Sequence, residues 1–234
     1  MSDFRNSFGE SIFRHKYALT PTQTWGEKVD DLMHDVCTGI LTPEDSEYLG
    51  NAMKQFKFMA GGRYIYYAGR QASFYNNCYL LKGEEDTREE WGKLTQRASD
   101  CLMSGGGIGI DYSVFRPSGS PLGRTGGVAS GPLPLMNSIN EIGRNVMQGG
   151  SRRSAIYASL NWQHGDAKAF LSAKDWHSLP IAEGVTVFDA KQNNFNFPAP
   201  LDMTNISLNY DDKFLDAVNN GFLPETFVQN CRQA

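Results

Sequence analysis

The chain alternates short apolar segments typical of strands with amphipathic segments typical of helices, and this order constrains the fold more than any other feature. Strands are expected at residues 77–81, 108–112, 155–162, 184–188 and 204–210. Helices are expected between them, beginning at residues 87, 132, 166 and 211. Strands that alternate with helices predict an α/β fold whose parallel sheet is covered on both faces.

The first 60 residues predict a helical lead-in instead. Thr24 is followed three residues later by Glu27, which is a capping-box pattern, and Pro43 suits the first position of a second helix. The tyrosine-rich segment 63–67 predicts a further short strand after these helices. We therefore expect a lead-in over residues 1–60 and an α/β domain over residues 61–234.

Glycines are concentrated in the middle of the chain. Gly105, Gly107 and Gly109 follow a predicted helix and precede a predicted strand, whereas a dinucleotide-binding fingerprint has glycines between a strand and the next helix. The Rossmann interpretation is therefore rejected. The long loop at 116–131 is of a length that is usually functional.

A second glycine-rich segment combines Gly149 and Gly150 with Arg152 and Arg153. Glycine lets main-chain N–H groups approach an anion closely, and the planar guanidinium group supplies paired donors to phosphate oxygens. This segment therefore predicts a phosphate-binding loop. Taken alone, the two arginines are equally consistent with surface ion pairs.

Composition excludes several classes of partner. The 234 residues carry a formal net charge of −4, which gives no general attraction to nucleic acid or to an anionic membrane. No apolar stretch approaches the roughly 20 residues that a membrane-spanning helix needs, and residues 1–10 do not resemble a signal peptide. We therefore expect a cytoplasmic protein.

The four cysteines and four histidines lack the spacing of a metal site, so no metal ligand is assigned. Cys78 lies near a predicted strand end between polar residues, where an exposed thiol could meet a ligand. By itself, it is more typical of a buried structural cysteine. Cys37, Cys101 and Cys231 are expected to pack in the core.

Five motifs in order resemble those of the ribonucleotide reductase catalytic subunit, of the adenosylcobalamin-dependent (class II) type. Together they extend over about residues 60–220. The motifs are Asn76-Asn77-Cys78-Tyr79, Met103-Ser104-Gly105-Gly106-Gly107-Ile108-Gly109, Arg116-Pro117-Ser118-Gly119, Thr125-Gly126-Gly127-Val128-Ala129-Ser130-Gly131-Pro132 and Gln148-Gly149-Gly150-Ser151-Arg152-Arg153.

The resemblance implies a ten-stranded α/β barrel, of which this chain would hold the helical lead-in and most of the first half. It also implies reduction of the ribonucleotide 2′-carbon by thiyl-radical chemistry, with two thiols oxidised to a disulfide. By motif position, Cys78 would be one of the two reducing thiols, and Asn77 and Gly107 would help to bind the substrate.

The resemblance further implies an allosteric site for a deoxynucleoside triphosphate. Asp86 would bind the effector ribose, although its acidic run also suits a helix N-terminus. Arg116 would bind the effector phosphates, and Leu122 and Gly123 would lie in the first specificity loop. Glycine at 123 replaces an arginine that some relatives carry. Residues 193–201 would form the second specificity loop.

The radical cysteine and the second redox cysteine of the family are expected beyond residue 234. The chain alone is therefore expected to be inactive and to need the C-terminal half of the barrel or a second identical chain. Adenosylcobalamin would be bound mainly outside this chain, and a thioredoxin-like protein would reduce the disulfide. The alternative is a non-catalytic module for effector binding or assembly.

Overall fold

The computed structural model describes residues 4–123, 125–146 and 154–233. The chain divides into two compact units, Met1–Asn77 and Cys78–Ala234. The predicted phosphate-binding glycines and arginines at 149–153 lie outside the described residues. Among the described residues, no helix is long and apolar enough to cross a membrane.

The first unit is helical, as the sequence predicts for its residues up to 60. Its helices are α1 (Ser7–Ile12), α2 (Trp25–Leu32), α3 (Pro43–Lys54) and α4 (Gly62–Tyr67), with π-helical turns at Phe13–Tyr17 and Met33–Cys37. The capping box at the start of α2 is present, because Thr24 and Glu27 bind each other's backbone N–H groups. Aromatic rings form much of the core, and Trp25 stacks on Phe56 with their centroids 5.2 Å apart.

Helix α4 replaces the strand expected at 63–67, so that prediction is wrong. Ile65 and Ala68, three residues apart, are both buried in the core of this unit. Arg63 is also buried, and its Nε donates a 2.8 Å hydrogen bond to the Phe74 carbonyl. Burial at helical spacing therefore outweighs the strand preference of the tyrosines.

The second unit is built on a four-stranded parallel sheet in the order β1-β2-β3-β6. Its strands are β1 (Cys78–Lys82), β2 (Gly107–Asp111), β3 (Ile156–Asn161) and β6 (Thr204–Asn209), and a separate antiparallel pair is formed by β4 (Pro180–Ala182) and β5 (Val185–Thr186). Its helices are α5 (Arg88–Met103), α6 (Leu133–Asn145), α7 (Ala167–Ser172), α8 (Val187–Asn193), α9 (Asp212–Asn219) and α10 (Glu225–Gln233).

The strand expected at 184–188 is only partly present. Strand β5 stops at Thr186, because this residue caps α8: its hydroxyl accepts from the Asp189 N–H, and the Asp189 carboxylate accepts from the Thr186 N–H. Strand β5 pairs with β4 through a turn at Gly184, whose φ of 69° suits glycine. This hairpin is not part of the parallel sheet.

Helices cover one face of the parallel sheet, which corrects the expectation of two covered faces. Alternate side chains such as Ile108, Ile110 and Ala158 are buried in a single core with residues of α5, α6 and α7. On the other face, Leu80 is 86% exposed and Tyr157 is 41% exposed. Parallel sheets are normally buried on both faces, so the open face lacks its usual cover among the described residues of this unit.

Candidate functional site

Cys78 and Gly107 lie side by side at the amino edge of the sheet. They are the first residues of β1 and β2, and they are direct partners in the parallel register. Cys78 shares the open face with Leu80, because side chains alternate along a strand, and its thiol is free and exposed. Asn77, the last residue of the first unit, immediately precedes it and is exposed. The structure therefore presents the predicted reducing thiol on the uncovered side of the sheet.

The glycines before β2 turn the chain sharply from α5 into that strand. Gly105 has a φ of 85°, and its N–H donates to the Leu102 carbonyl, which closes the C-terminus of α5. A Cβ on Gly106 would stand 2.3 Å from the Tyr79 ring of β1. These glycines therefore serve a tight turn and close packing between neighbouring strands.

Asp86 and Arg116 meet at the opposite, carboxyl edge of the sheet. Asp86 follows β1 and Arg116 follows β2; the Arg116 Nε donates to the Asp86 carboxylate, and its Nη2 lies 3.3 Å from the Asp86 carbonyl. Both side chains stay partly exposed. A strand of five residues is about 16 Å long, so the two predicted sites lie at separate edges. Ligands of open α/β sheets usually bind at the carboxyl edge.

A turn after β3 holds the segment that carries Arg116. The His164 Nε2 bonds the Phe115 carbonyl at 2.7 Å, while its Nδ1 accepts from the Asp166 N–H at 3.0 Å, so the ring proton lies on Nε2. The Asp166 carboxylate accepts from the Ser118 N–H at 2.9 Å. His164 and Asp166 thus hold the backbone just before and just after Arg116. No motif in the sequence indicates this role.

Leu122 and Gly123 lie in a tight turn within the 116–131 loop. The Leu122 N–H donates to the Gly127 carbonyl at 3.0 Å, and Pro121 and Val128 form an isolated antiparallel bridge. Leu122 is half-buried and Gly123 is exposed. A Cβ on Gly123 would meet nothing within 4 Å, so the turn has room for a larger side chain there.

Residues 194–203 form an irregular segment before β6, as expected for 193–201. Its base is held by a buried polar cluster that the sequence analysis missed: Asp202 accepts from Arg144 at 2.7 Å, from Lys191 at 2.7 Å and from Asn140 at 3.2 Å. Burial alone would raise the pKa of Asp202, but hydrogen bonds from Lys191, Asn140 and Arg144 outweigh it and lower that pKa. In the sequence, Asp202 stands between the apolar residues Leu201 and Met203, and this pattern could have indicated a buried acid.

The family model for the ribonucleotide reductase barrel domain matches residues 76–228, which is most of the second unit. The chain belongs to the ribonucleotide reductase family. The match begins two residues before Cys78 and includes both predicted specificity loops.

Curated reductases are similar over most of this chain. A vitamin B12-dependent ribonucleoside-diphosphate reductase of Mycobacterium tuberculosis is 26% identical over 224 residues, covering 91% of this chain and 29% of the relative. One of the same name from Thermoplasma acidophilum is 28% identical over 72% of this chain and 19% of the relative. The ribonucleoside-diphosphate reductase large subunit of vaccinia virus is 27% identical over 72% of this chain and 22% of the relative.

A solved reductase has the same fold. The class Id ribonucleotide reductase α subunit of Actinobacillus ureae superposes with a TM-score of 0.71 at 14% identity, covering 98% of this chain and 38% of that one. This likeness concerns the fold. It confirms the expected α/β architecture, a helical region followed by part of a barrel.

The other cysteines of this reductase-family chain differ from Cys78 in exposure. Cys37 is buried, whereas Cys101 and Cys231 are half-buried against the second core. Burial, followed by the neighbouring Asp100, raises the pKa of the Cys101 thiol. All four cysteines are free, and the described ranges contain no group of three or more His, Cys, Asp or Glu side chains that could hold a metal ion.

Proposed function

We propose that this chain is the N-terminal part of a ribonucleotide reductase catalytic subunit that makes deoxyribonucleotides. The 2′-hydroxyl of a ribonucleoside di- or triphosphate leaves as water, a hydrogen takes its place on the 2′-carbon, and two thiols are oxidised to one disulfide. Cys78 supplies one thiol. The observation that carries the proposal is its exposed position on the open face, beside Gly107, in a chain of this family.

The substrate is proposed to lie along the amino edge, with Asn77 and Gly107 among its contacts. Gly107 has no side chain, so a ligand can approach the strand beside the thiol. The second thiol is proposed to come from the remainder of the protein. A thioredoxin-like protein would then reduce the disulfide.

The deoxynucleoside triphosphate effector is proposed to bind at the carboxyl edge. Asp86 can accept hydrogen bonds from ribose hydroxyls, and Arg116 can donate to phosphate oxygens through its planar guanidinium group. Leu122 and Gly123 would border the bound nucleotide. The ion pair between Asp86 and Arg116 brings the two side chains together, so that one nucleotide could contact both.

Adenosylcobalamin is the proposed cofactor, and two relatives are named vitamin B12-dependent reductases. It would supply the radical that starts the reaction. We expect it to be bound mainly by parts of the protein outside this chain, which spans 29% and 19% of the length of these two relatives.

The rest of the barrel is the proposed cover of the open face. The chain spans less than a third of the length of its curated relatives, and β1 and β6 are the edge strands of the described sheet. Edge strands present unpaired N–H and C=O groups that favour pairing with further strands. The chain alone is therefore expected to be inactive.

The test is deoxyribonucleotide formation by this chain combined with the rest of the barrel and adenosylcobalamin. Cys78→Ser should abolish turnover and leave deoxynucleoside triphosphate binding unchanged, whereas Cys101→Ser, the matched control in α5, should keep turnover. Effector binding with no turnover in the unsubstituted protein would favour the non-catalytic module. Turnover by this chain alone would contradict its expected inactivity.

A further inference from the structure

The irregular segment before β6 is held largely by side chains from outside it. The carbonyls of Phe197, Ala199 and Pro200 accept hydrogen bonds from Lys191 at 2.8 Å, Arg144 at 2.9 Å and Trp176 at 3.0 Å, respectively. Its internal backbone hydrogen bonds are those of isolated turns. Three side chains from outside the segment therefore help to position this backbone.

Asp202 holds two of those three side chains in place. Its Oδ1 accepts from Arg144 and its Oδ2 from Lys191, and its side chain is only 4% exposed. Each cation thus bridges the buried carboxylate and one carbonyl of the segment. Loss of the carboxylate would leave both cations with unfavourable burial and no shared anchor.

Leu201, the residue before Asp202, has an unusual backbone conformation. Its φ is 51°, in the left-handed region that a branched side chain rarely adopts, and the residue is completely buried. Such a conformation persists only where its surroundings determine it. The surroundings of Leu201 include the core in which it is buried and the ion pairs of Asp202, the next residue.

Asn140 connects the Asp202 carboxylate to the amino edge of the sheet. Its Nδ2 donates to Asp202, and its Oδ1 accepts from the Met203 N–H and the Thr204 hydroxyl, both at 2.9 Å, where β6 begins. Cys78 begins β1 at this edge, three strand spacings away, or about 14 Å. The anchored segment therefore reaches the edge that carries the proposed reducing thiol.

We infer that Asp202 is a positioning residue that, through Arg144 and Lys191, fixes residues 194–201 at the amino edge and so determines how tightly a ribonucleotide substrate is held there. This inference rests on the proposed function. Asp202 acts through its two cations and takes no part in the chemistry. Its loss is therefore expected to raise KM more than it lowers kcat.

The test compares Asp202→Asn with Glu141→Gln in the full-length protein. Glu141 is an exposed second partner of Arg144, 3.0 Å away, and holds no carbonyl of the segment, so it is a matched control. Chymotrypsin cleavage after the exposed Phe195 measures the position of the segment without any activity. Asp202→Asn should speed this cleavage about tenfold, as expected for the loss of charged hydrogen bonds, and Glu141→Gln should not.

Two further variants keep the test decisive if Asp202→Asn fails to fold. Lys191→Met should also speed cleavage and raise KM, while Lys191→Arg, which keeps a charged donor, should restore both toward the unsubstituted values. Unchanged cleavage and KM in Asp202→Asn or Lys191→Met would overturn the inference. Turnover of the unsubstituted protein is measured before any variant is made. Its absence would contradict the proposed function and would leave the cleavage measurements to test the inference.

Discussion

Two glycines of the long loop in the second unit have similar backbone angles but different surroundings. Gly126 has a φ of 71° and open space around it, whereas Gly131 has a φ of 76° and lies against Asp166 and Ser118. A Cβ on Gly131 would stand 2.3 Å from the Asp166 carboxylate and 2.9 Å from the Ser118 nitrogen. Alanine substitutions at the two positions therefore distinguish the cost of backbone strain from the cost of a steric clash.

Gly131→Ala is expected to destabilise the chain much more than Gly126→Ala. The latter should cost about 1–2 kcal/mol, the price of a left-handed alanine. Gly131→Ala adds the clash and disrupts the hydrogen bond that holds Ser118, so a cost of about 3 kcal/mol or more is expected. Urea unfolding measures both, and equal costs would show that the contact with Asp166 has no effect.

Lys28 gives the first unit a pH-dependent stability. Its ammonium group is buried and donates to the Ala68 carbonyl at 2.5 Å. Burial, with Arg70 as a second cause, lowers the pKa of Lys28 from 10.5 to about 8, although Asp31 and Asp35 oppose this. Between these two pKa values the unfolded chain binds more protons, so stability should rise as the pH increases from 8 to 10.5.

Lys28→Met is expected to remove this rise, which amounts to about 1.4 kcal/mol for each pH unit that separates the two pKa values. Lys54→Met is the control, because Lys54 is partly exposed and pairs with Asp30 at the surface. Urea unfolding at pH 8 and pH 10 provides the measurement. If stability still rises with pH in Lys28→Met, other titrating groups cause the rise.

At the scale of elements, helix α5 carries a carboxylate with more partners than its sequence pattern predicts. Thr87 accepts from the Glu90 N–H as an N-cap, but the Glu90 side chain accepts from Arg97 at 2.5 Å and from the Glu84 N–H at 3.3 Å. Thr87 and Glu90 therefore form only one of the two hydrogen bonds of a capping box. Glu90 instead connects α5 to the turn that carries Asp86.

Glu90→Ala is expected to cost about 2 kcal/mol, because it leaves Arg97 and the Glu84 N–H without this acceptor. Glu89→Ala, one residue earlier and exposed, should cost less than about 0.5 kcal/mol. Hydrogen exchange at the Glu84 amide should accelerate only in Glu90→Ala. The proposed binding of a deoxynucleoside triphosphate at Asp86 should weaken in the same variant, since the turn carrying Asp86 is loosened.

At the scale of the whole molecule, the two faces of β1 have opposite surroundings. Leu80 is 86% exposed on the open face, whereas Leu81 packs against the helix-covered core. If the rest of the barrel covers the open face, Leu80 contributes to assembly and Leu81 contributes to the stability of this unit.

Leu80→Ser should therefore leave the free energy of unfolding within about 0.5 kcal/mol, while Leu81→Ser should lower it by about 2 kcal/mol or more. Leu80→Ser should also weaken association with a separately expressed remainder of the barrel. Urea unfolding and a binding titration measure the two effects. Unchanged association in Leu80→Ser would argue against this face as the site of assembly.

Much of the second unit follows from local pattern. The strands β1, β2, β3 and β6 and the helices α5, α6, α7 and α9 lie within a few residues of their predicted positions, because apolar periodicity and glycine or proline boundaries are local signals. Segment 63–67 failed because long-range burial of Ile65 outweighed its local preference. Segment 184–188 failed because Thr186 caps a helix.

The sequence by itself determined the family and the positions of Cys78, Asp86 and Arg116, because motif order and helix or strand periodicity are carried by neighbouring residues. Only the tertiary structure decided which residues meet. It placed Cys78 beside Gly107 at one edge and paired Asp86 with Arg116 at the other. It also gathered three donors, Asn140, Arg144 and Lys191, around the Asp202 carboxylate. The last contacts join residues up to 62 positions apart. Burial, charge pairing and strand register act across such separations, and no local pattern records them.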